Sequence, residues 1–482
     1  MSTLDTSLET GARWARLAQI DAEAARLYSE RAAVAQSLAY PVLKLPVEIT
    51  SLIFAHCVPQ NALNCTLWRA AVVLSSVCRH WHAVALATAE LWTSIPLEID
   101  RHRPKKTAKG VKLWMARSKT QPLALRLSPV SDPGDMFSDQ ADAWWDKVYD
   151  FEEYLLPVVL LHRARWQHLE VSVPLSVLRR ACNADIKPLP ELTHLSLAPM
   201  QEAERWDSAD SQESVSLFKM APKLQSLHLT VENTTDFQWI ERIAMPYLQL
   251  TTFIGTGFTP SECLAMLRLM PNLVHCAFSV SARDSDYDDE RLPMEHLKTL
   301  QLCSAAPTAR PQSILEELTL PRLEALSVGR DDGRVLSWVL VHLIERSACT
   351  IRFFSCEELN PEDVPECLDA LPNIETLELL NYAQDAAVRA LRHLYAGVTG
   401  YAAPQPRWKT LESLTLVCRK QLHHGDFPFT FLLELLEVLP VKRFHLLWDT
   451  SLLPRPPTPT EVAAFRGLGR PVYIGTPVFS WV

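Results

Sequence analysis

A short motif with apolar residues at its first, fourth and sixth positions returns along most of the chain, and this recurrence limits the folds open to it. It begins with Trp166, Leu169, Val171, then Leu192, Leu195, Leu197, then Leu224, Leu227, Leu229, then Leu273, Cys276, Phe278 and Leu297, Leu300, Leu302. Leu323, Leu326, Val328 follow, then Ile374, Leu377, Leu379, then Leu411, Leu414, Leu416 and Val441, Phe444, Leu446. Leu250 with Phe253, and Ile351 with Phe354, fit less well. The period is loose: 32 residues separate Leu192 from Leu224, 24 separate Leu273 from Leu297, and 30 separate Leu411 from Val441.

Prolines 190, 222, 271, 321 and 372 precede several motifs, where they mark a break from helix to extended chain. Helical patterns fill the gaps at 261–270, 335–346, 386–395 and 429–439, so each unit is a strand and a helix. A chain of 482 residues is too long for one compact core, and an α/β solenoid of such units accommodates it. The leucines are core. Between them, alternation along each strand predicts one outward residue per motif on the concave face: Glu170, Ser196, His228, Ala277, Gln301, Ser327, Glu378, Thr415 and His445. That strip is mostly small, polar and weakly charged.

Ahead of the repeats the pattern is helical. Leu17, Ile20, Ala24, Leu27, Val34 and Leu38 form one apolar stripe, interrupted by Arg31, before Pro41 ends the run. Such a helix can pack on its own chain or pair as a short coiled coil, and packing on its own chain is the preferred reading. Between 45 and 87 lie three shorter helices. The first opens at Leu45-Pro46-Val47-Glu48-Ile49 with the proline in its first turn, the second covers 70–77, and the third follows Cys78-Arg79-His80-Trp81. Cys78 is read there as a small buried residue. Leu91-Trp92 closes the unit, and the basic stretch 101–106 reads as a solvated linker before Trp114.

The Leu45-Pro46-x-Glu48-Ile49 opening, the Val77-Cys78-Arg79-x-Trp81 segment and the Leu91-Trp92 ending resemble an F-box, and 41–97 as a whole resembles the F-box-like segment of fungal proteins. The strand–helix units of about 160–450 resemble leucine-rich repeats, though the asparagine that usually follows the strand is missing except at Asn381, so irregular turns are expected. The organisation is then an N-terminal helix at 1–40, an F-box-like docking unit at 41–97, a linker and first strands at 98–160, leucine-rich repeats at 161–450 and a C-terminal cap or tail at 451–482.

The resemblance implies the substrate receptor of a cullin-based ubiquitin ligase. Leu45, Pro46, Ile49, Ile53, Val77, Cys78 and Trp81 would dock a Skp-type adaptor, and the repeats would hold a protein substrate. A helical unit that merely caps the solenoid is the alternative, because an open solenoid end exposes core leucines.

Other chemistry finds little footing. Gly255-Thr256-Gly257 lacks both phosphate-binding fingerprints and reads as a turn. His423-His424 and the acidic run 284–290 lack the spacing of a metal site, and no nucleophile, acid and base converge, so no cofactor, metal or catalysis is expected. With 47 Lys plus Arg against 56 Asp plus Glu, the formal charge of −9 disfavours broad attraction to nucleic acid or anionic membranes. The apolar runs are too short to span a bilayer. Eleven cysteines without a C-x-x-C pair suit a reducing compartment, cytosol or nucleus.

Overall fold

The computed structural model describes residues 3–38, 44–57, 69–97, 104–128, 148–174, 177–178, 188–198, 216–231, 243–281, 291–306, 309–329, 336–358, 362–399, 408–420, 427–448 and 455–482. These form two compact units, one of Met1–Ser94 with Trp114–Gln121, the other of Ile95–Leu113 with Pro122–Val482.

The first unit carries four helices, α1 (Thr3–Leu38), α2 (Val47–Cys57), α3 (Arg69–Ser76) and α4 (Arg79–Ala87), followed by a tight turn at Ala89–Trp92. A small core of Phe54, Ala71, Val84, Ala85, Leu91 and Trp92 joins α2 to α4 with that turn. The indole of Trp92 donates to the Ala85 carbonyl at 2.8 Å, which satisfies its one polar atom in an apolar site. Trp114 meets Trp92 edge to face at 4.7 Å, and the Arg117 guanidinium lies 4.4 Å from the Trp92 ring centre. The predicted linker is helical from Pro104 on, while 101–103 lie outside the described residues. Pro104 begins the helix Pro104–Arg117, because proline's fixed φ suits a first turn and its missing N–H would be unbonded there anyway.

Helix α1 departs from the preferred reading too. From Arg16 to Val34 every described residue is exposed except the half-buried Ala24, so the stripe is not packed into the chain's own core.

In the second unit, fourteen strands from Ser94–Leu97 to Val472–Gly475 form one sheet in chain order, and the two-residue strands Leu292–Pro293 and Leu318–Thr319 pair separately. From Leu123–Leu127 onward each strand pairs in parallel with the next. Register stacks like on like. Leu195, Leu227, Phe253, Cys276, Leu300, Leu326, Phe354, Leu377 and Leu414 run as one buried row. Phe253 and Phe354, from the two motifs that fitted less well, hold full places in it, because an aromatic ring fills the leucine position as apolar bulk.

Helices Pro260–Leu269, Leu336–Ser347, Gln384–Thr399 and Phe429–Val438 occupy the four predicted gaps. Surface ion pairs recur from one repeat to the next, Lys223–Glu191 at 2.8 Å, Arg352–Glu375 at 2.8 Å and Lys442–Glu412 at 2.6 Å. Each contributes at most about 1 kcal/mol. The burial of leucine does the holding, at roughly 1.5–3 kcal/mol for each side chain.

Two glycines correct the reading of 255–257 as a turn. The segment is strand Thr252–Phe258, and Gly255 stands where the neighbouring strands place Leu229 and Phe278. A Cβ on Gly255 would come within 2.7 Å of the Phe278 ring, so the glycine leaves room for that phenyl. Gly257 then takes φ +85° against the Val231 carbonyl, and the register shift it permits returns Phe258 to the core. Phe253, Phe258 and Phe278 meet edge to face at 5.4–6.2 Å.

Asn381 has φ +62° and is buried, donating to the Glu357 carboxylate. It thus works through an inter-repeat side-chain contact at a bulge. The C-terminal segment extends the repeats. Helix Pro459–Gly467, opened by a Thr458–Glu461 capping box, leads to Val472–Gly475, which pairs with Arg443–Trp448 as the last strand.

Candidate functional site

Helix α2 has an unusual distribution of side chains for so small a unit. Its buried positions are Thr50 and Phe54, one turn apart. Ile49, Leu52 and Ile53 point elsewhere and are exposed at 46, 58 and 45 %. On α3, Ala71 is buried while Val72 and Val73 stand exposed at 46 and 59 %, and Val77 follows at 57 %. With Val47 at 47 %, water therefore meets seven branched aliphatic side chains on α2, α3 and Val77, beside a core that is complete without them. Aliphatic side chains exposed at this density make this face the candidate interaction surface of the unit.

The predicted docking residues divide into two groups. Pro46, Ile49, Ile53 and Val77 are exposed, and Leu45 is half-buried. Cys78 and Trp81 serve the unit's own structure. Cys78 is half-buried with φ −158°, and its sulfur caps α4 by accepting from the Trp81 N–H at 3.4 Å, because the first N–H groups of a helix lack partners within it. Trp81 packs edge to face on Phe54 at 5.0 Å. Leu52, Val72 and Val73 were missed at the sequence level, although the i, i+3 spacing from Ile49 to Leu52 was the available signal for the first of them.

On the sheet, the register sets Glu170, Ser196, His228, Ala277, Gln301, Ser327, Glu378, Thr415 and His445 in one row on the face opposite the buried leucines. Ile254 and Ser355 fill its gaps, and Arg126 and Tyr473 extend it at the two ends. A second row on the same face, two residues upstream, carries Ala124, His168 and His194, and the two imidazole rings stack at 4.2 Å.

Here the N-terminal repeats are rich in polar contacts. Arg126 pairs with Glu170 at 2.6 Å, and His228 bridges Ser196 at 3.3 Å and Thr256 at 3.4 Å. Burial, with His194 beside it, holds His168 down to about 4, and burial lowers His194 and His228 as well. These imidazoles are neutral at pH 7, so the strip offers aromatic and hydrogen-bonding surface with little net charge.

Burial pushes the Cys418 thiol up to about 12 and raises Cys276 and, in helix Pro260–Leu269, Cys263, where Cys276 and Glu262 add to the rise. Among the described residues no cluster of three or more His, Cys, Asp or Glu side chains could hold a metal, and no helix is long and apolar enough to cross a membrane. His423-His424 and 284–290 lie outside the described residues.

No protein-family description matches the chain, and no curated protein resembles it in sequence. Among solved structures it is similar to a chain of the Rad7–Elc1 complex of yeast, with 14 % identity over 90 % of this chain and 96 % of that one, at a TM-score of 0.28. A score that low does not establish a common fold. The architecture of the second unit rests on its own strand order, that of a parallel repeat solenoid with leucine-patterned strands.

Proposed function

We propose that the chain is the substrate-recognition subunit of a cullin-based ubiquitin ligase, acting in the cytosol or nucleus. The first unit docks a Skp-type adaptor through Pro46, Ile49, Leu52, Ile53, Val72, Val73 and Val77. The repeats bind a protein substrate on the sheet face that carries Glu170, Ser196, His228, Gln301, Ser327, Glu378, Thr415 and His445. The chain transfers nothing itself and needs no cofactor. Holding substrate and adaptor on one polypeptide raises the effective concentration of substrate at the transfer enzyme.

The observation that carries this reading is the exposure of the six aliphatic side chains from Ile49 to Val77 on a unit whose core is already filled. It also weighs against the capping alternative, which requires Pro46 and Ile49 to be covered by the chain's own atoms, whereas both are exposed. The test is co-purification of the tagged full chain with a Skp-type adaptor. Wild type retains the adaptor, and an Ile49→Asp/Ile53→Asp double variant loses it while keeping the wild-type melting curve. Failure of the wild type to retain any adaptor would sink the proposal. Trp81→Ala is a poor probe, since it removes the ring that packs on Phe54 and loosens the unit itself.

A further inference from the structure

Helix α1 carries an apolar seam that stands largely exposed. Leu17, Ile20, Leu27 and Val34 are 53, 52, 59 and 57 % exposed, and with Ala24 and Arg31 they follow one another at alternating steps of three and four residues. Leu38 falls on the next step. That spacing places Leu17, Ala24, Arg31 and Leu38 at the first seam position of successive heptads and Ile20, Leu27 and Val34 at the second, the pattern of a left-handed coiled coil.

From this pattern we infer that α1 pairs in parallel with α1 of a second copy of this chain, so that the protein is a dimer joined through its N-terminal helices. Charge selects both the occupant and its direction. Arg16 and Asp21 flank the seam five residues apart, at positions that face each other across a parallel pair, so an identical helix supplies an opposite charge to each. Arg16 is exposed, and its described contact is with Gln19 Oε1 of its own helix at 3.1 Å. Arg31 interrupts the seam and in a parallel pair meets its own counterpart, a repulsion that Glu30, alongside it on each helix, offsets in part; Glu30 also accepts from Arg26 of its own helix at 3.0 Å. An antiparallel copy with Ala24 opposite Leu27 would instead set Glu23 beside Glu30, two like charges.

Three heptads span about 33 Å, close to the shortest length that sustains a coiled coil, so the dimer is weak, with dissociation in the roughly micromolar range. An arginine at a seam position lowers affinity further while fixing the register.

Sedimentation velocity of the full chain across about 1–100 µM reads the outcome. The expected result is a shift from monomer to dimer with rising concentration. Ile20→Asp/Leu27→Asp abolishes the shift without changing the melting curve, since neither side chain is part of a core. Arg16→Asp weakens the dimer about fivefold, and adding Asp21→Arg to it recovers the lost affinity; Arg31→Leu tightens it about tenfold. A chain that stays monomeric throughout, or a dimer that survives the double aspartate variant, overturns the inference. A dimer that the second charge reversal fails to recover overturns the parallel pairing. Adaptor retention by the monomeric variant separates this result from the docking reading, which does not require α1.

Discussion

Twelve of the twenty-three large apolar side chains that stand exposed among the described residues lie within 17–77, while the much longer second unit holds the other eleven. The two regions spend their leucines and isoleucines differently. In the repeats each strand buries its apolar positions against its neighbours, and one repeat cannot be stable without the next. In the helical unit a handful of residues around Phe54, Val84 and Trp92 closes the core, which releases the remaining aliphatics to face outward. The contrast teaches that apolar content alone does not tell a packing surface from a docking surface. What separates them is whether a neighbour within the chain reaches the side chain.

That contrast can be broken by mutation. Leu300→Ala, in the fully buried row, should cost roughly 2–5 kcal/mol through lost transfer energy and the cavity left behind, read as a lower urea midpoint at unchanged slope. Gly257→Ala comes next. Its φ of +85° and the 2.0 Å approach of a Cβ to the Val231 carbonyl predict a loss of at least about 1 kcal/mol by the same measurement. Thr259→Ala, which removes the capping box of Pro260–Leu269, should cost about 1 kcal/mol, and a drop of less than a few tenths would show that this helix is held by packing alone.

Acid provides a smaller and reversible test. His168 titrates at about 4 in the folded chain and near 6.5 when unfolded, so between these values the unfolded state binds more protons. Stability from this group is complete above pH 6.5 and is lost as the pH falls toward 4. His168→Gln should flatten the fall of the denaturation midpoint across that window, and an unchanged slope would remove the histidine stack as its source. The smallest effect belongs to the helical unit: Ile53→Ala should shift stability by no more than about 0.5 kcal/mol, because the side chain is already 45 % exposed. A loss of 2 kcal/mol or more there would mean that this surface is part of a core after all.

Much of the solenoid was legible because a strand's alternation and a leucine's burial are local and repeat. The outward row from Glu170 to His445 follows from counting within each motif, and the register reproduces it. Ile254 escaped that count because Gly255 stands where its motif should carry a third apolar side chain, the space being filled by Phe278 from the next strand. The helical unit was legible in outline, through Leu45-Pro46, Cys78-x-x-Trp81 and Leu91-Trp92. The division of labour inside it was not, since the motif does not distinguish Trp81, which packs on Phe54, from Ile49, which faces solvent.

From the sequence alone came the solenoid of strand and helix, the small helical unit before it and the heptad spacing of α1. These depend on periodicity and residue type, which a linear string carries. Only the tertiary structure decided that Leu17, Ile20, Leu27 and Val34 of α1 stand exposed, that Trp114 closes on Trp92 from outside the motif, and that 255–257 is a bulged strand rather than a turn. Each of these is settled by what lies opposite a side chain in space, which residues distant in the chain decide.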